Sequence, residues 1–274
     1  MVTGPWNEEM ADAVTSGVAP RVVLNHALGY DEPDLSFLVG LPIRELKIVD
    51  RRIADLTPVS SLAETLEGLD VEVAPDVRID LTAFPNLHRL GATWAQVSAT
   101  IDAVPRLRRA ALDAYDAPDL APLAPLGALE AISLKERPRL RSLDGLGALP
   151  AITHLGVFGA TALTDVQALR GRERLVRLDL QACRRLTSVS ELAGCTGLHV
   201  LDVAEGGDLD SAAPLGGLLA LEELYAYGST RFVDPDLSAL ARLPRLVEVR
   251  MQSRRHYVPS VPDLKAALEH REDR

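Results

Sequence analysis

The residues of this chain that could most readily take part in catalysis are His154, Arg177 and Asp179. His154 and Arg177 are 23 residues apart, which is also the step between repeated phrases of the sequence, so we expect them on neighbouring strands. A histidine beside an aspartate can act as a general base. On an open sheet such residues are more typical of a contact surface. An enzyme with an open site near His154 is therefore only an alternative, and we predict a non-enzymatic protein.

No established catalytic or metal-binding motif supports that alternative. The sequence has no G-x-x-x-x-G-K-[ST], no H-E-x-x-H and no G-x-S-x-G. Its two cysteines, Cys183 and Cys195, lack C-x-x-C spacing and a nearby histidine pair. The acidic segments at 208–210 and 234–236 match no calcium loop. We therefore expect no cofactor and no metal.

The dominant feature of the sequence is the phrase L-x-x-L-x-L, repeated from about residue 43 to residue 251. Consecutive copies begin 20 to 25 residues apart, a period typical of solenoids, whose units bury their apolar faces only against neighbours. Each copy ends in period-two alternation, which predicts a short half-buried strand. The copies begin at Ile43, Leu66, Leu87, Leu107, Leu129, Ile152, Leu175, Leu198, Leu221 and Leu246.

The second half of each repeat has a different pattern. It reads D-L-T-P-V-S-S-L at 55–62 and D-L-A-P-L-A-P-L at 119–126. Apolar residues three apart, opened by Asp, Ser or Thr and interrupted by Pro and Gly, predict a single 3₁₀ or helical turn. The repeat around 72–85 is irregular, and V-R-I-D-L at 77–81 predicts an out-of-phase strand there.

These patterns resemble the leucine-rich repeat family, in its short internalin-like class of 22 to 23 residues per unit, over about residues 35–257. The resemblance implies an α/β solenoid, a horseshoe with a parallel β-sheet on the concave face and short 3₁₀ or helical turns on the convex face. The family usually has Asn or Cys at the turn after the strand, and only Cys183 conforms here. We therefore expect the usual ladder of buried amides to be largely absent.

The predicted domain organisation has three parts. An N-terminal cap and a degenerate first repeat occupy residues 1–42, and about ten repeats occupy 43–257. A C-terminal capping helix occupies 258–274. Asn7 is the expected N-cap of a short first helix, and terminal caps are what a solenoid needs to cover its ends.

Composition narrows the partner and the compartment. The net charge of −10 and the pI near 5.1 disfavour binding to nucleic acid. No apolar run is long enough to span a bilayer, so we expect no membrane partner. The first 20 residues have no uninterrupted apolar segment, and the two cysteines could not staple both ends, so we predict a cytoplasmic protein. The 26 arginines against 3 lysines suggest a GC-rich bacterial gene.

The resemblance implies protein–protein recognition on the concave sheet face, with a partner whose identity is unknown. A regulatory, sensor or antitoxin-like subunit of a larger bacterial assembly is the alternative. Aromatic side chains ringed by charge on an open face are typical of interface hot spots, although a tyrosine pair can also pack across strands. The predicted partner-binding residues are Trp94, His154, Phe158, Arg177, Asp179, Asp202, Glu223, Tyr225, Tyr227 and Arg250.

Overall fold

The structure, a computed structural model, describes residues 4–272. The chain divides into two compact units. Unit 1 comprises Met1–Ala114 and Pro125–Leu129, and unit 2 comprises Tyr115–Ala124 and Glu130–Arg274. Both are built from one repeated element, a short strand followed by a short helical turn.

In its described residues, from position 4 onward, unit 1 contains five parallel strands that neighbour one another in chain order. Its strands are β1 (Arg21–Asn25), β2 (Glu45–Val49), β3 (Gly68–Glu72), β4 (Arg89–Thr93) and β5 (Arg109–Asp113). Its α-helices are α1 (Glu8–Thr15) and α2 (Trp94–Val97). Its 3₁₀ turns are His26–Leu28, Ser36–Leu38, Thr57–Leu62, Leu81–Ala83 and Ile101–Ala103.

Up to residue 272, where the description ends, unit 2 contains six parallel strands in chain order and a separate two-stranded pair, β10 with β12. The six strands are β6 (Ala131–Lys135), β7 (His154–Val157), β8 (Arg177–Asp179), β9 (Val200–Asp202), β11 (Glu223–Ala226) and β13 (Glu248–Met251). The pair is β10 (Asp208–Leu209) and β12 (Arg231–Phe232), and the α-helices are α3 (Ser238–Ala241) and α4 (Val261–Glu272). The 3₁₀ turns are Ala121–Leu123, Leu146–Ala148, Gln167–Leu169, Ser190–Gly194 and Ala213–Gly217.

The leucines of the repeated phrase form the core. Leu155, Leu178 and Leu201 occupy the same position in three neighbouring strands of unit 2, and each has no exposed surface. Burying each such side chain stabilises the fold by roughly 1.5–3 kcal/mol. A strand of this length cannot bury them alone, so each repeat depends on the repeats beside it.

The helical turns are capped in the way their sequences predict. An Asp or Ser side chain before eight of the described 3₁₀ turns and before α3 accepts a hydrogen bond from the backbone N–H two residues later, at 2.7–3.3 Å. These caps satisfy backbone donors that would otherwise lack partners. The capping residues are Asp34, Asp55, Asp80, Asp119, Ser142, Asp165, Ser188, Ser211 and Asp236.

In the later repeats, the turn after the sheet strand contains a left-handed residue at a fixed position. From β5 onward this position has a φ between 53° and 76° in each repeat through β11. Only two of the six residues are glycine, although an L-residue pays roughly 1–2 kcal/mol for this conformation. The position is occupied by Ala114, Glu136, Gly159, Ala182, Glu205 and Gly228.

Other groups brace the turns where the family has a buried amide. Thr230 donates from Oγ1 to the carbonyl of Val203 at 2.5 Å, one repeat earlier, and is almost fully buried. Cys183 makes the corresponding contact through Sγ with the carbonyl of Val157 at 3.6 Å. Burial raises the pKa of the Cys183 thiol to about 12, so at neutral pH it is a small uncharged core residue.

The irregular repeat of unit 1 departs from one expectation. The out-of-phase strand predicted at 77–81 is wrong, because β3 already occupies the place of this repeat in the sheet. Residues 77–80 run without regular structure into a 3₁₀ turn that begins at Leu81. Ile79 and Leu81 are buried, as expected for a strand. The alternation of apolar and polar residues therefore predicts the burial of these side chains correctly but their secondary structure incorrectly.

The two ends carry helices where capping was expected. In α1 the Asn7 side chain accepts from the Met10 backbone N–H at 3.0 Å, as an N-cap should. At the other end, Leu264 and Leu268 of α4 are buried. Residues 21–25 form β1, which pairs with β2 over its full length, so a complete strand precedes the first copy of the phrase.

A buried carboxylate ties the first two repeats of unit 1 together. Asp50 follows β2, and its side chain is 1% exposed. Arg52 donates to both oxygens of Asp50, at 2.7 Å and 3.0 Å, and to Asp31 at 2.6 Å. The hydrogen-bonded Arg52 guanidinium lowers the pKa of Asp50 below its ordinary value.

Replacing Gly159 with alanine should lower the free energy of unfolding by about 1 kcal/mol, because alanine must adopt the left-handed conformation. A Cβ there would meet nothing closer than 3.9 Å, so backbone strain is the only cost. Urea denaturation measures the change. Gly147→Ala is the matched control, since Gly147 does not need a positive φ and has room for a Cβ. Equal losses in the two variants would refute this reason.

Replacing Asp50 with asparagine should destabilise the chain by about 2 kcal/mol at pH 7, because a buried charge-assisted hydrogen bond is lost. A lowered carboxyl pKa contributes stability above pH ~4, and that contribution disappears as the pH falls through the folded-state value. The two proteins should therefore converge below pH ~4 when unfolding is followed against pH. Asp102→Asn, at an exposed aspartate, is the control. A difference that persists unchanged at pH 3 would contradict the role of the Asp50 charge.

Candidate functional site

The open face of unit 2 is the side of β6–β9, β11 and β13 opposite the leucine core. Strand register sets which residues stand side by side on it. One column contains Ala131, His154, Arg177, Val200, Glu223 and Glu248. The next contains Ser133, Gly156, Asp179, Asp202, Tyr225 and Arg250.

Arg177 and Asp179 form a bidentate ion pair within β8. The guanidinium Nε and Nη2 donate to the two carboxylate oxygens of Asp179 at 2.9 and 2.8 Å. The Asp179 hydrogen bonds raise the pKa of Arg177, so it carries a full positive charge. Asp179 is 7% exposed and Arg177 covers it. The ion pair therefore stabilises the fold as well as forming part of the open face.

Asp202 lies directly beside Asp179 and has no such partner. Its carboxylate accepts the backbone N–H of Ala204 at 2.8 Å. Among the described residues, no arginine, lysine or histidine nitrogen lies within 4.0 Å of it. Burial raises the pKa of Asp202, and the Asp179 charge also raises it, while the Ala204 hydrogen bond and the more distant Arg177 charge lower it in part. The open face therefore holds one half-buried carboxylate that has no ion-pair partner of its own.

Tyr225, on the other side of Asp202, is held by charged neighbours. Its hydroxyl donates to Glu223 Oε2 at 2.9 Å, and Glu248 Oε2 lies 3.5 Å away. The Glu223 hydrogen bond raises the pKa of Tyr225 to about 12. The Arg250 guanidinium lies 5.4 Å from the ring centre and pairs with Glu248 at 2.6 Å. The ring is thus fixed and only partly covered.

Phe158 packs against Gly156, which has no side chain. A Cβ on Gly156 would come within 2.7 Å of the Phe158 ring, so the ring occupies the space above that glycine. The Lys135 ammonium is 5.9 Å from the ring centre, at the outer limit of a cation–π contact. The half-buried ring is an apolar element at the margin of the charged columns.

His154 is exposed, and its Nδ1 contacts Thr153 Oγ1 at 2.8 Å. In register it stands beside Arg177, whose guanidinium occupies both oxygens of Asp179. The histidine–aspartate hydrogen bond that a general base needs is therefore not formed in this structure.

The remaining predicted residues divide between open and buried positions. Tyr227 is half-buried and follows β11. Trp94, the first residue of α2 in unit 1, is only 6% exposed and packs into the core. The expectation that it contributes to an open surface is corrected, since a tryptophan directly after a strand position can turn inward when a short helix follows.

The open face of unit 1, on β1–β5, pairs its charges differently. Lys47 and Asp70 pair across β2 and β3 at 3.1 Å, and Arg89 approaches Asp70 from β4 at 3.7 Å. Arg21 and Glu45 pair across β1 and β2 at 3.6 Å. Cross-strand pairing neutralises neighbours, whereas the pairs Arg177–Asp179 and Arg250–Glu248 in unit 2 lie within a strand. The order of residues in the sequence does not distinguish these two modes of pairing, so it does not reveal that Asp202 lacks an ion-pair partner.

Several solved structures of other proteins have a fold similar to that of this chain. A leucine-rich repeat protein of Leptospira interrogans has a TM-score of 0.55 at 17% identity, covering 92% of this chain and 71% of its own. The functional domain of InlJ from Listeria monocytogenes has a TM-score of 0.53 at 14% identity, covering 77% of this chain and 44% of its own. The plant peptide hormone receptor RGFR1, solved in complex with RGF2, has a TM-score of 0.55 at 16% identity, covering 78% of this chain and 37% of its own.

The chain has the leucine-rich repeat fold. The predicted parallel sheet with short helical turns is thereby confirmed, and an internalin is among the similar structures. No protein-family model and no curated protein sequence matches the chain.

The described part of this leucine-rich repeat chain has neither a cluster of metal ligands nor a helix suited to span a membrane. Within residues 4–272 no three His, Cys, Asp or Glu side chains are grouped to hold a metal ion. None of the helices in that range is long and apolar enough to cross a membrane.

Asp202→Asn should leave the fold intact and slightly stabilise it at pH 7, by about 0.5 kcal/mol, because a half-buried charge without an ion-pair partner is removed. The sign follows from the raised pKa of Asp202, which makes the ionised form the less favourable one in the folded state. Asp179→Asn should instead destabilise by about 2 kcal/mol, because Arg177 loses its partner. Thermal and urea unfolding of both variants measure the contrast. A loss of stability in Asp202→Asn would contradict this electrostatic assignment.

Proposed function

We propose that this leucine-rich repeat chain is a non-enzymatic recognition module whose protein partner docks on the open face of unit 2 and places a basic side chain at Asp202. The observation that carries the proposal is the half-buried Asp202 carboxylate, which lies beside Asp179 and has no ion-pair partner of its own. A lysine or arginine from a partner would supply the missing countercharge.

The surroundings of Asp202 suit a preformed docking point. Tyr225 stands beside it in register, and its ring is held through Glu223 and Arg250. An ordered aromatic side chain loses little conformational entropy when a partner packs on it. A partner cation at Asp202 would lie within reach of this ring, where cation–π attraction adds to the charge pairing.

The rest of the open face fits a mixed polar and apolar footprint. Phe158 offers an apolar surface, and Glu223, Glu248 and Arg250 form the charged surroundings of Tyr225. Interface hot spots combine such anchors with a polar rim. Leucine-rich repeat structures solved with bound partners, such as the RGFR1 complex, make recognition the natural use of the scaffold.

The setting in which this module acts is also a proposal. A cytoplasmic, bacterial protein is supported by two buried free cysteines, Cys183 and Cys195, and by the arginine-rich composition. A partner would then be another protein of the same compartment.

The test is the affinity for the partner, isolated by affinity capture from the native host and then purified. Asp202→Lys should weaken binding by about 100-fold in calorimetry, because the substitution removes the docking charge and adds a repulsive one. The double variant Tyr225→Ala, Tyr227→Ala should weaken it by a similar factor.

The matched control is Asp102→Lys, the same change at an exposed aspartate in the 3₁₀ turn Ile101–Ala103 of unit 1. It should leave the affinity within about twofold, as expected of an exposed charge outside the interface. Unaltered affinity in Asp202→Lys, with its fold verified by circular dichroism, would show that the partner docks elsewhere.

A further inference from the structure

We propose that unit 2 has a second interaction surface, the arginine edge, which fits an extended acidic segment of a protein. It lies in the turns that follow the strands, and it shares no residue with the open face. The arginine edge consists of Arg137, Arg139, Arg141, Arg184, Arg185 and Arg255.

The turns that carry these arginines stack on one another along unit 2. The Thr164 N–H donates to the carbonyl of Arg141 at 3.1 Å, which joins the turn after β7 to the turn after β6. The Asp210 N–H donates to the Thr187 carbonyl at 2.8 Å, which joins the turns after β9 and β8. The arginines therefore lie along one edge of the unit, in the turns after β6, β8 and β13.

The six arginines are exposed, and the chain does not neutralise them. Within residues 4–272 none of them has a carboxylate oxygen within 4.0 Å, whereas Arg231 of the same edge is paired with Asp208 and is left out for that reason. An exposed guanidinium without a carboxylate is free to bind one in the planar two-bond geometry that arginine favours. Clusters of this kind are used elsewhere to read acidic motifs.

The distribution of charge along the edge favours a peptide over a nucleic acid. The turns after β6 and β8 carry arginines, but Ala160, Thr161 and Ala162 after β7 are uncharged. The turn after β9 is acidic, with Asp208 and Asp210. A nucleic acid strand, with a phosphate every ~3.4 Å, would meet both a gap and a repulsive stretch.

An extended peptide can match this spacing. Two repeats span about 10 Å at ~4.8 Å each, and three residues of extended chain cover the same distance at ~3.3 Å each. A segment with an acidic residue at every third position would therefore meet Arg139 and then Arg185 while placing neutral residues between them.

The experiment measures fluorescence anisotropy of a labelled ten-residue peptide, with glutamate at every third position and serine between, binding to the full chain at low salt. Arg184→Glu with Arg185→Glu should weaken binding about tenfold, because two exposed attractive charges become repulsive. Arg242→Glu with Arg245→Glu changes the net charge equally at exposed residues outside the edge and should leave binding within about twofold. Arg184→Gln with Arg185→Gln gives a milder version if the charge reversal impairs folding.

Three outcomes would overturn the proposal. They are no binding of the peptide, equal weakening in both charge-reversal variants, and tighter binding of a ten-nucleotide thymidine strand than of the peptide. Asp202→Lys should leave peptide binding at least as strong as in the wild type, which separates this surface from the docking point on the open face.

Discussion

Everything in this molecule depends on the fact that a three- to five-residue strand cannot bury its own leucines. Leu155, Leu178 and Leu201 reach zero exposure only because each lies under the strands on both sides. That requirement fixes the register of neighbouring repeats, since a slip of one residue would turn the leucines to solvent. Register in turn decides which surface residues become neighbours, so the open face is a consequence of the core.

The two units use this enforced adjacency in different ways. In unit 1, opposite charges meet across strands, as Lys47 and Asp70 do, and the surface is largely self-neutralised. In unit 2, Arg177 turns along its own strand to Asp179, which leaves Asp202 beside an already paired carboxylate. A neutralised face stabilises the fold, whereas an unmatched charge costs stability and is available to a partner. This difference is why we place recognition on unit 2.

The fold could be predicted from the sequence because the spacing of the leucines indicates directly which positions are buried. The columns of residues from His154 to Glu248 follow from the phase of the L-x-x-L-x-L repeat alone. The capping aspartates predict the 3₁₀ turns. Where burial and element type separate, the sequence was insufficient: Ile79 is buried without a strand, and Trp94 turns into the core. The candidate site was predictable only as a region. Whether Arg177 pairs along or across the sheet is a choice between side-chain rotamers that no spacing encodes.

The most direct test of the central claim is the titration of the Asp202 carboxyl carbon, followed by ¹³C NMR in the free protein and assigned with Asp202→Asn. A half-buried carboxylate beside Asp179, without an ion-pair partner, should titrate above the ordinary aspartate value, and saturation with the purified partner should lower that pKa as a basic side chain arrives. A midpoint at or below the ordinary value in the free protein would mean that the chain already neutralises Asp202. That result would remove the reason for placing the partner there.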